Sequence, residues 1–137
     1  ARNLLLGARA TATSSGDKAG AVFDGKFDTN WICAGNDPEP MWSAKLPVAA
    51  KADTLRLTHR APHTVQKDKS RVTRIRVVIN GSDIYEVDMD PNFMKKTMID
   101  LKTEDRVKTV EIYLLDFTDN PSAGFSEIEL VLVGEQS

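Results

Sequence analysis

Arg74-Ile75-Arg76-Val77-Val78-Ile79-Asn80-Gly81-Ser82-Asp83-Ile84-Tyr85-Glu86-Val87 is written in the period of a β-hairpin. Ile75, Val77 and Ile79 fall on one side of an extended chain and Arg74 and Arg76 on the other, because successive strand side chains point to opposite faces. Asn80-Gly81 follows at once. A two-residue hairpin turn needs positive φ at both central positions, which Asn and Gly tolerate. Ser82 to Val87 is therefore predicted to return antiparallel.

The same two-residue period spreads outward in both directions. Towards the N-terminus, Arg9 to Ser14 alternates Ala and Thr, Trp42, Ala44 and Leu46 alternate with Ser43 and Lys45, and Leu55 and Leu57 alternate with Thr54, Arg56 and Thr58. Towards the C-terminus, strands are expected over Thr97 to Leu101, Val107 to Leu115 and Phe125 to Val133. Val110-Ile112-Leu114 and Ile128-Leu130-Leu132 supply apolar faces to the last two. That makes about eight strands, and no window of eleven or more residues keeps a helical period. The expected fold is all-β: a two-sheet antiparallel jelly-roll β-sandwich. The connections 15–30, 33–41, 60–71, 88–95 and 116–124 are longer than hairpins need, and long ordered loops are where binding groups usually sit.

At 137 residues the chain is the size of one domain and can bury a core without disulfides. We expect residues 1–137 to be a single module, and its abrupt opening on Ala1-Arg2-Asn3 suggests one excised from a larger multidomain protein. A net charge of −2 gives no general attraction to nucleic acid or anionic membranes. Apolar runs such as Val77-Val78-Ile79 are too short to span a bilayer, so no membrane insertion is expected. No signal segment stands at the start. Cys33 is the sole cysteine, so no internal disulfide forms; a small buried side chain is the ordinary reading and a reactive thiol the sharper one.

Four constellations carry polar chemistry. Asp24-Gly25-Lys26-Phe27-Asp28-Thr29-Asn30-Trp31 collects carboxylates, a hydroxyl, an amide and a flexible Gly. Ca²⁺ takes six to eight hard oxygens, many of them carbonyls, so a curled loop of this kind can wrap it. The same residues also make an ordinary polar turn held by Asp and Thr side chains. Trp31 and Trp42 could stack on sugar rings, but large aromatics on sandwich strands are more often core. His59 to Arg76 holds eight basic side chains, counting both histidines, against Asp68 alone. Arg60 and His63, at the start of that loop, suit sugar hydroxyls or an acidic group, whereas Arg74 and Arg76 read as the charged outer face of a strand. Asp116 to Gly124 is rich in acceptors and turn formers and fits a binding loop or a plain connection.

Phosphate-loop, His-Glu-x-x-His, Cys-x-x-Cys and Gly-x-Ser-x-Gly motifs are all missing. The expectation is a protein that catalyses nothing. A small hydrolase would require two carboxylates facing across a cleft, about 5–9 Å apart.

Four segments in order resemble one family. Asn3-Leu4-Leu5-Leu6-Gly7-Ala8-Arg9-Ala10-Thr11-Ala12-Thr13-Ser14-Ser15 resembles the start of a discoidin, or coagulation-factor type C, domain. Ala21-Val22-Phe23-Asp24-Gly25 with Thr29-Asn30-Trp31 resembles its Ala-x-x-Asp-Gly…Thr-x-Trp signature. Trp42 to Leu46 resembles its Trp-x-x-x-Leu strand, and Ala123-Gly124-Phe125-Ser126-Glu127-Ile128-Glu129-Leu130 its closing strand. The branch most similar is that of the family 32 carbohydrate-binding modules. The resemblance implies a galactose-binding-like fold, lectin-like binding without catalysis at loop tips, a secreted or cell-surface parent, and a structural Ca²⁺. Its ligands would be the Phe23 carbonyl, Asp28, Thr29 and Glu127, with Asp24 and the Lys26 carbonyl as further candidates. It also assigns both tryptophans to the core.

The expected ligand is a glycan, of galactose type or acidic, and the module would hold other domains of its parent chain near that glycan. The rival is an adhesion or assembly domain docking a protein through the same loops. Pyranose hydroxyls donate and accept, so the site needs fixed groups from several loops. Those expected are Asn36, Arg60, His63 and Asn120, with Arg60 an exposed loop side chain. Ser122 stands where many sugar-binding relatives place an aromatic, which leaves Phe117 as the substitute for the sugar's apolar face.

Overall fold

The computed structural model describes residues 2–26, 29–60 and 70–134. The elements in order are β1 (Arg9–Ala12), a 3₁₀ helix (Gly16–Phe23), β2 (Trp31–Ile32), β3 (Met41–Ala50), β4 (Thr54–His59), β5 (Arg71–Ile79), β6 (Asp83–Asp88), β7 (Thr97–Asp100), β8 (Val107–Thr118) and β9 (Gly124–Val131). They form a five-stranded sheet, β1-β3-β8-β5-β6, and a four-stranded sheet, β2-β9-β4-β7. Every pairing is antiparallel. The all-β two-sheet sandwich is what the alternating pattern predicts.

The β5–β6 hairpin closes on Asn80 (φ 54°) and Gly81 (φ 74°), the left-handed pair that a tight turn demands. It places Val77 opposite Tyr85 and Ile79 opposite Asp83. Asn80 also reaches out of the hairpin: its Oδ1 accepts from the Lys108 and Thr109 N–H groups at 2.7 and 3.2 Å, and its Nδ2 donates to the Arg106 carbonyl at 2.9 Å. On the outer face Arg74 pairs with Asp88 at 2.8 Å and Arg76 with Glu86 at 3.2 Å, as a charged strand face should.

Ile75, Val77, Ile79, Val110, Ile112, Leu55, Leu57, Ile128 and Leu130 fill the space between the sheets and are fully buried. Burying each such side chain contributes about 1.5–3 kcal/mol. Trp31, Trp42 and Cys33 belong to this core too. The indoles are not merely apolar filler. Trp42 Nε1 donates to the Ala19 carbonyl at 2.8 Å and Trp31 Nε1 to the Ser14 carbonyl at 2.9 Å, so both rings pin the 14–19 segment over one edge of the core. Burial pushes the Cys33 thiol up, away from the reactive thiolate form.

Two elements depart from the sequence-based expectation. The 3₁₀ helix lies within a stretch read as loop, held by the buried Ala19 and Val22. β2 is only two residues long and exists because β9 comes unusually close. A Cβ on Gly124 would sit 1.9 Å from the Trp31 carbonyl oxygen, so only glycine allows Ile32 to pair there.

Candidate ligand-binding site at the loop end

The register brings Thr13 and Pro40, Arg60 and Ser70, and the 89–96 and 119–123 connections to one end of the sandwich. The tight 51–53 and 80–82 turns and the 101–106 connection lie at the other. Backbone and side-chain bonds tie the long connections together. The Cys33 N–H donates to the Ala123 carbonyl at 3.0 Å, and the Ser122 hydroxyl to the Cys33 carbonyl at 3.3 Å. The Arg60 N–H donates to the Gly124 carbonyl at 3.0 Å, and the Asn120 N–H to Ser70 Oγ at 3.2 Å.

Asn36 and Asn120 are exposed on these turns. The turn bearing Asn36 is anchored by the neighbouring Asp37, whose carboxylate accepts from Thr13 Oγ1 at 2.6 Å, Ser14 Oγ at 2.7 Å and the Glu39 N–H at 3.2 Å. Burial works against charge on Asp37, but these donors hold its carboxyl below the usual range. Asn36, Arg60 and Asn120, on the 33–41, 60–71 and 116–124 connections, thus share one end. His63 lies outside the described residues.

Arg60 corrects the sequence reading. Its side chain is 4% exposed, not an open loop side chain. It follows the last residue of β4, and its N–H continues that ladder onto β9. Replacing it would therefore disturb packing as well as any contact with a ligand. Phe117 is half-buried and packs against the core. Phe125, the other nearby aromatic, is fully buried and stacks on Trp31 with ring centroids 6.3 Å apart.

His59 is buried beside Arg60. Its Nε2 bonds the Asp90 carbonyl, which makes Nε2 the protonated nitrogen, and its Nδ1 has no hydrogen-bond partner among the described residues. Burial lowers the imidazole's pKa most, the bond to Asp90 opposes this, and the Arg71 charge lowers it further. The ring is neutral at physiological pH. It meets Phe93 edge-on, with centroids 5.3 Å apart. Phe93 lies on the 89–96 connection, which sequence reasoning noted as long but gave no role.

The Asp24 loop forms a second polar centre. Asp24 Oδ1 accepts from the Lys26 N–H at 2.9 Å, the polar turn expected of Asp-Gly. Thr29 Oγ1 lies 2.7 and 2.9 Å from the two Asp24 oxygens, 3.3 Å from the Lys26 carbonyl and 3.4 Å from that of Ala21. One hydroxyl can donate to only one of these acceptors, so the loop gathers more oxygen than its own donors need. Glu127 faces it across a cavity of about 340 Å³ that Phe23, Asp24 and Gly25 also line. Burial pushes the Glu127 carboxyl up to about 7, helped by the Glu129 and Asp24 charges and opposed by Lys96 and the Gly25 N–H. Glu129 itself is paired, with Lys96 at 2.7 Å and Arg56 at 3.1 Å. A crowd of oxygens beside a carboxylate that lacks a full counter-charge is chemistry suited to a hard divalent cation. The Ala21 carbonyl is an oxygen that the sequence reading did not include. Asp28 lies outside the described residues. Among those described, no three His, Cys, Asp or Glu side chains cluster as a metal centre; Asp24 and Glu127 supply carboxylate oxygen, and Ala21, Lys26 and Thr29 carbonyl and hydroxyl oxygen.

A cavity of about 870 Å³ lies at the opposite end, lined mainly by aliphatic side chains such as Leu46, Val48 and Leu132. It lacks the converging hydroxyl, amide and imidazole groups that mark a specific polar site.

No family model matches the chain, and no curated protein matches its sequence. Solved structures do. The family 32 carbohydrate-binding module of NanJ from C. perfringens, in complex with galactose, superposes with a TM-score of 0.75 at 19% identity, covering 93% of this chain and 95% of that one. A fucose-binding module from Streptococcus pneumoniae, SpX-3, gives 0.72 at 17%, covering 95% and 97%. The arabinofuranosyltransferase AftD from Mycobacteria gives 0.76 at 18%, over 94% of this chain but 11% of that much longer one. At these identities the likeness establishes the fold alone: the chain shares the antiparallel two-sheet jelly-roll sandwich of these modules.

Proposed function

We propose that the protein is a non-catalytic carbohydrate-binding module of the family 32 type that engages a glycan through the loop end. One observation carries the reading: Asn36 and Asn120 stand exposed on turns tied together through Cys33, Ser122 and Ala123, and Arg60, bonded to the next residue Gly124, is buried with His59. Rigid polar groups from separate loops are what a pyranose needs to be held in one orientation. The fold likeness to modules described with galactose and fucose supports the choice of a sugar. The AftD match supports a role beside a larger catalytic unit, with this module raising the local concentration of a glycan. The parent is then a secreted or surface protein. The Asp24 loop holds a structural Ca²⁺ through Asp24, Thr29, Glu127 and the Phe23 and Lys26 carbonyls, with Asp28 completing the set. The ion fixes the loop beside β9 and takes no part in sugar contact.

A single shallow site binds weakly, with a dissociation constant of roughly millimolar order, about −4 kcal/mol. The test is a glycan array, read with and without chelator. Retention on galactose- or fucose-terminated glycans supports the reading. Silence across the array, together with capture of a defined protein partner, would replace it with the adhesion role.

A further inference from the structure

Phe117, expected to supply the aromatic of the loop end, is half-buried and packs on the core. Phe93 has the opposite surroundings. It is half-buried yet stands outside the core cluster, and its ring contacts are with polar side chains. The His59 imidazole packs against it with the two ring planes 61° apart, and the Arg71 guanidinium lies over one face at 5.9 Å from its centroid, within reach of a cation–π attraction. Met94, next to it, is 86% exposed. Of the large apolar side chains left exposed among the described residues, Met94 is the most exposed.

The connection that carries the pair is built to be rigid. The Asp90 N–H donates to Thr97 Oγ1 at 2.8 Å, and the Asp90 carbonyl accepts from His59. Asp90 Oδ1 accepts the Asn92 N–H at 2.9 Å, Asn92 Oδ1 accepts the Met94 N–H at 2.8 Å, and the Asn92 carbonyl accepts from Lys95 at 3.1 Å. Two successive Asx turns and a tether to β4 hold an apolar pair at the loop end with nothing in the core requiring it there. A fixed ring loses little entropy on binding, and its face suits the C–H side of a pyranose.

Resting on the glycan reading above, we infer that Phe93 is the aromatic platform of the site, flanked by Met94. The ligand is a pyranose whose C–H groups gather on one face, lying against Phe93 while its hydroxyls reach Asn120 and the polar groups of the neighbouring loops. Arg71 orients the ring and is a positioning residue.

The experiment uses the methyl glycosides of galactose and fucose as probes and compares the parent with Phe93→Leu and Phe117→Leu. Affinity is followed by titration, and the sugar's C–H protons by NMR. The parent is expected to bind at least one probe and to shift its C–H protons upfield through the ring current. Phe93→Leu keeps the ring's bulk but not its π face. It is expected to abolish that shift and weaken binding roughly tenfold, the size of one good stacking contact, while Phe117→Leu preserves the shift. If Phe93→Leu binds and shifts the sugar as the parent does, the platform lies elsewhere and the glycan reading stands without it. Loss of the shift in Phe117→Leu instead would return the role to Phe117. If the parent binds neither glycoside and is silent on the array, the glycan reading falls and Phe93 with it.

Discussion

The two ends of the sandwich are finished by different means. At the 80–82 end a turn is closed by its own residues: Asn80 and Gly81 supply the positive φ, and the Asn80 side chain ties down the start of β8. Asp53 does similar work nearby, accepting the Val133 and Gly134 N–H groups at 2.8 Å each. At the loop end the connections have local turns of their own, as in 89–96, but they are also bonded to one another. Cys33 bonds to Ala123, Arg60 to Gly124, His59 to Asp90 and Asn120 to Ser70, each across a break between strands. One end is local and self-contained. The other is a mutual arrangement of four segments, and such an arrangement is what can present separate groups to one ligand.

Breaking each end once should expose this contrast. Gly124→Ala drives a Cβ into the Trp31 carbonyl at 1.9 Å and must push β2 off β9. Stability should fall by about 3 kcal/mol or more, with loss of sugar binding, because the 33–36 and 119–123 segments are attached through that contact. Asn80→Ala removes three side-chain bonds and a residue tolerant of positive φ, and should cost about 1–3 kcal/mol. Its affinity for sugar should match the parent's. Urea unfolding and titration calorimetry on both variants check this; if Asn80→Ala also lost binding, the two ends would not be independent.

The Asp24 loop sharpens the comparison through pH. The Glu127 carboxyl is pushed up to about 7, above its ordinary value of 4.5, by burial first and by the Glu129 and Asp24 charges next. The folded protein therefore holds this proton more tightly than the unfolded chain does. Its contribution is present in full below about pH 4.5 and is lost as pH rises through about 7. In chelator, the parent's melting temperature should fall across that window relative to Glu127→Gln. With excess Ca²⁺ the sign reverses, since the ion binds the deprotonated carboxylate, and stabilisation by Ca²⁺ should grow with pH. Parent melting curves that coincide with and without Ca²⁺ at every pH would leave the loop as a polar turn.

This contrast also explains what could be read from the amino acids. The 75–87 hairpin, the buried faces of β3, β5, β8 and β9 and the core tryptophans rest on short-range periodicity and turn chemistry, so they were legible. β2 was not, because it exists only through the approach of Gly124 some ninety residues away. The 3₁₀ helix left just Ala19 and Val22 as an apolar signal, too few to mark a period. Arg60 was misread because arginine is ordinarily a surface residue, whereas here its N–H continues the β4 ladder onto β9 and its side chain is buried. Phe93 carried no mark at all. A phenylalanine between Asn and Met in a polar stretch gains meaning only once β4 and β5 bring His59 and Arg71 to it.

The smallest effect on stability, and the most specific on binding, is expected from the exposed amides. Asn36 and Asn120 stand on turns whose bonds are made by other groups: Asp37 with Thr13 and Ser14, Ser122 with Cys33, and the Asn120 backbone rather than its side chain with Ser70. Truncating either side chain leaves those bonds intact, so Asn36→Ala and Asn120→Ala should change unfolding free energy by less than about 0.5 kcal/mol. A hydrogen bond to a sugar hydroxyl is worth about 1 kcal/mol net, so each variant should weaken binding roughly fivefold. Arg60→Ala cannot make this separation, because a buried side chain alters packing and contact together. If both asparagine variants bind galactose and fucose glycosides as the parent does, the exposed amides are bystanders. The polar half of the site would then rest on the buried groups.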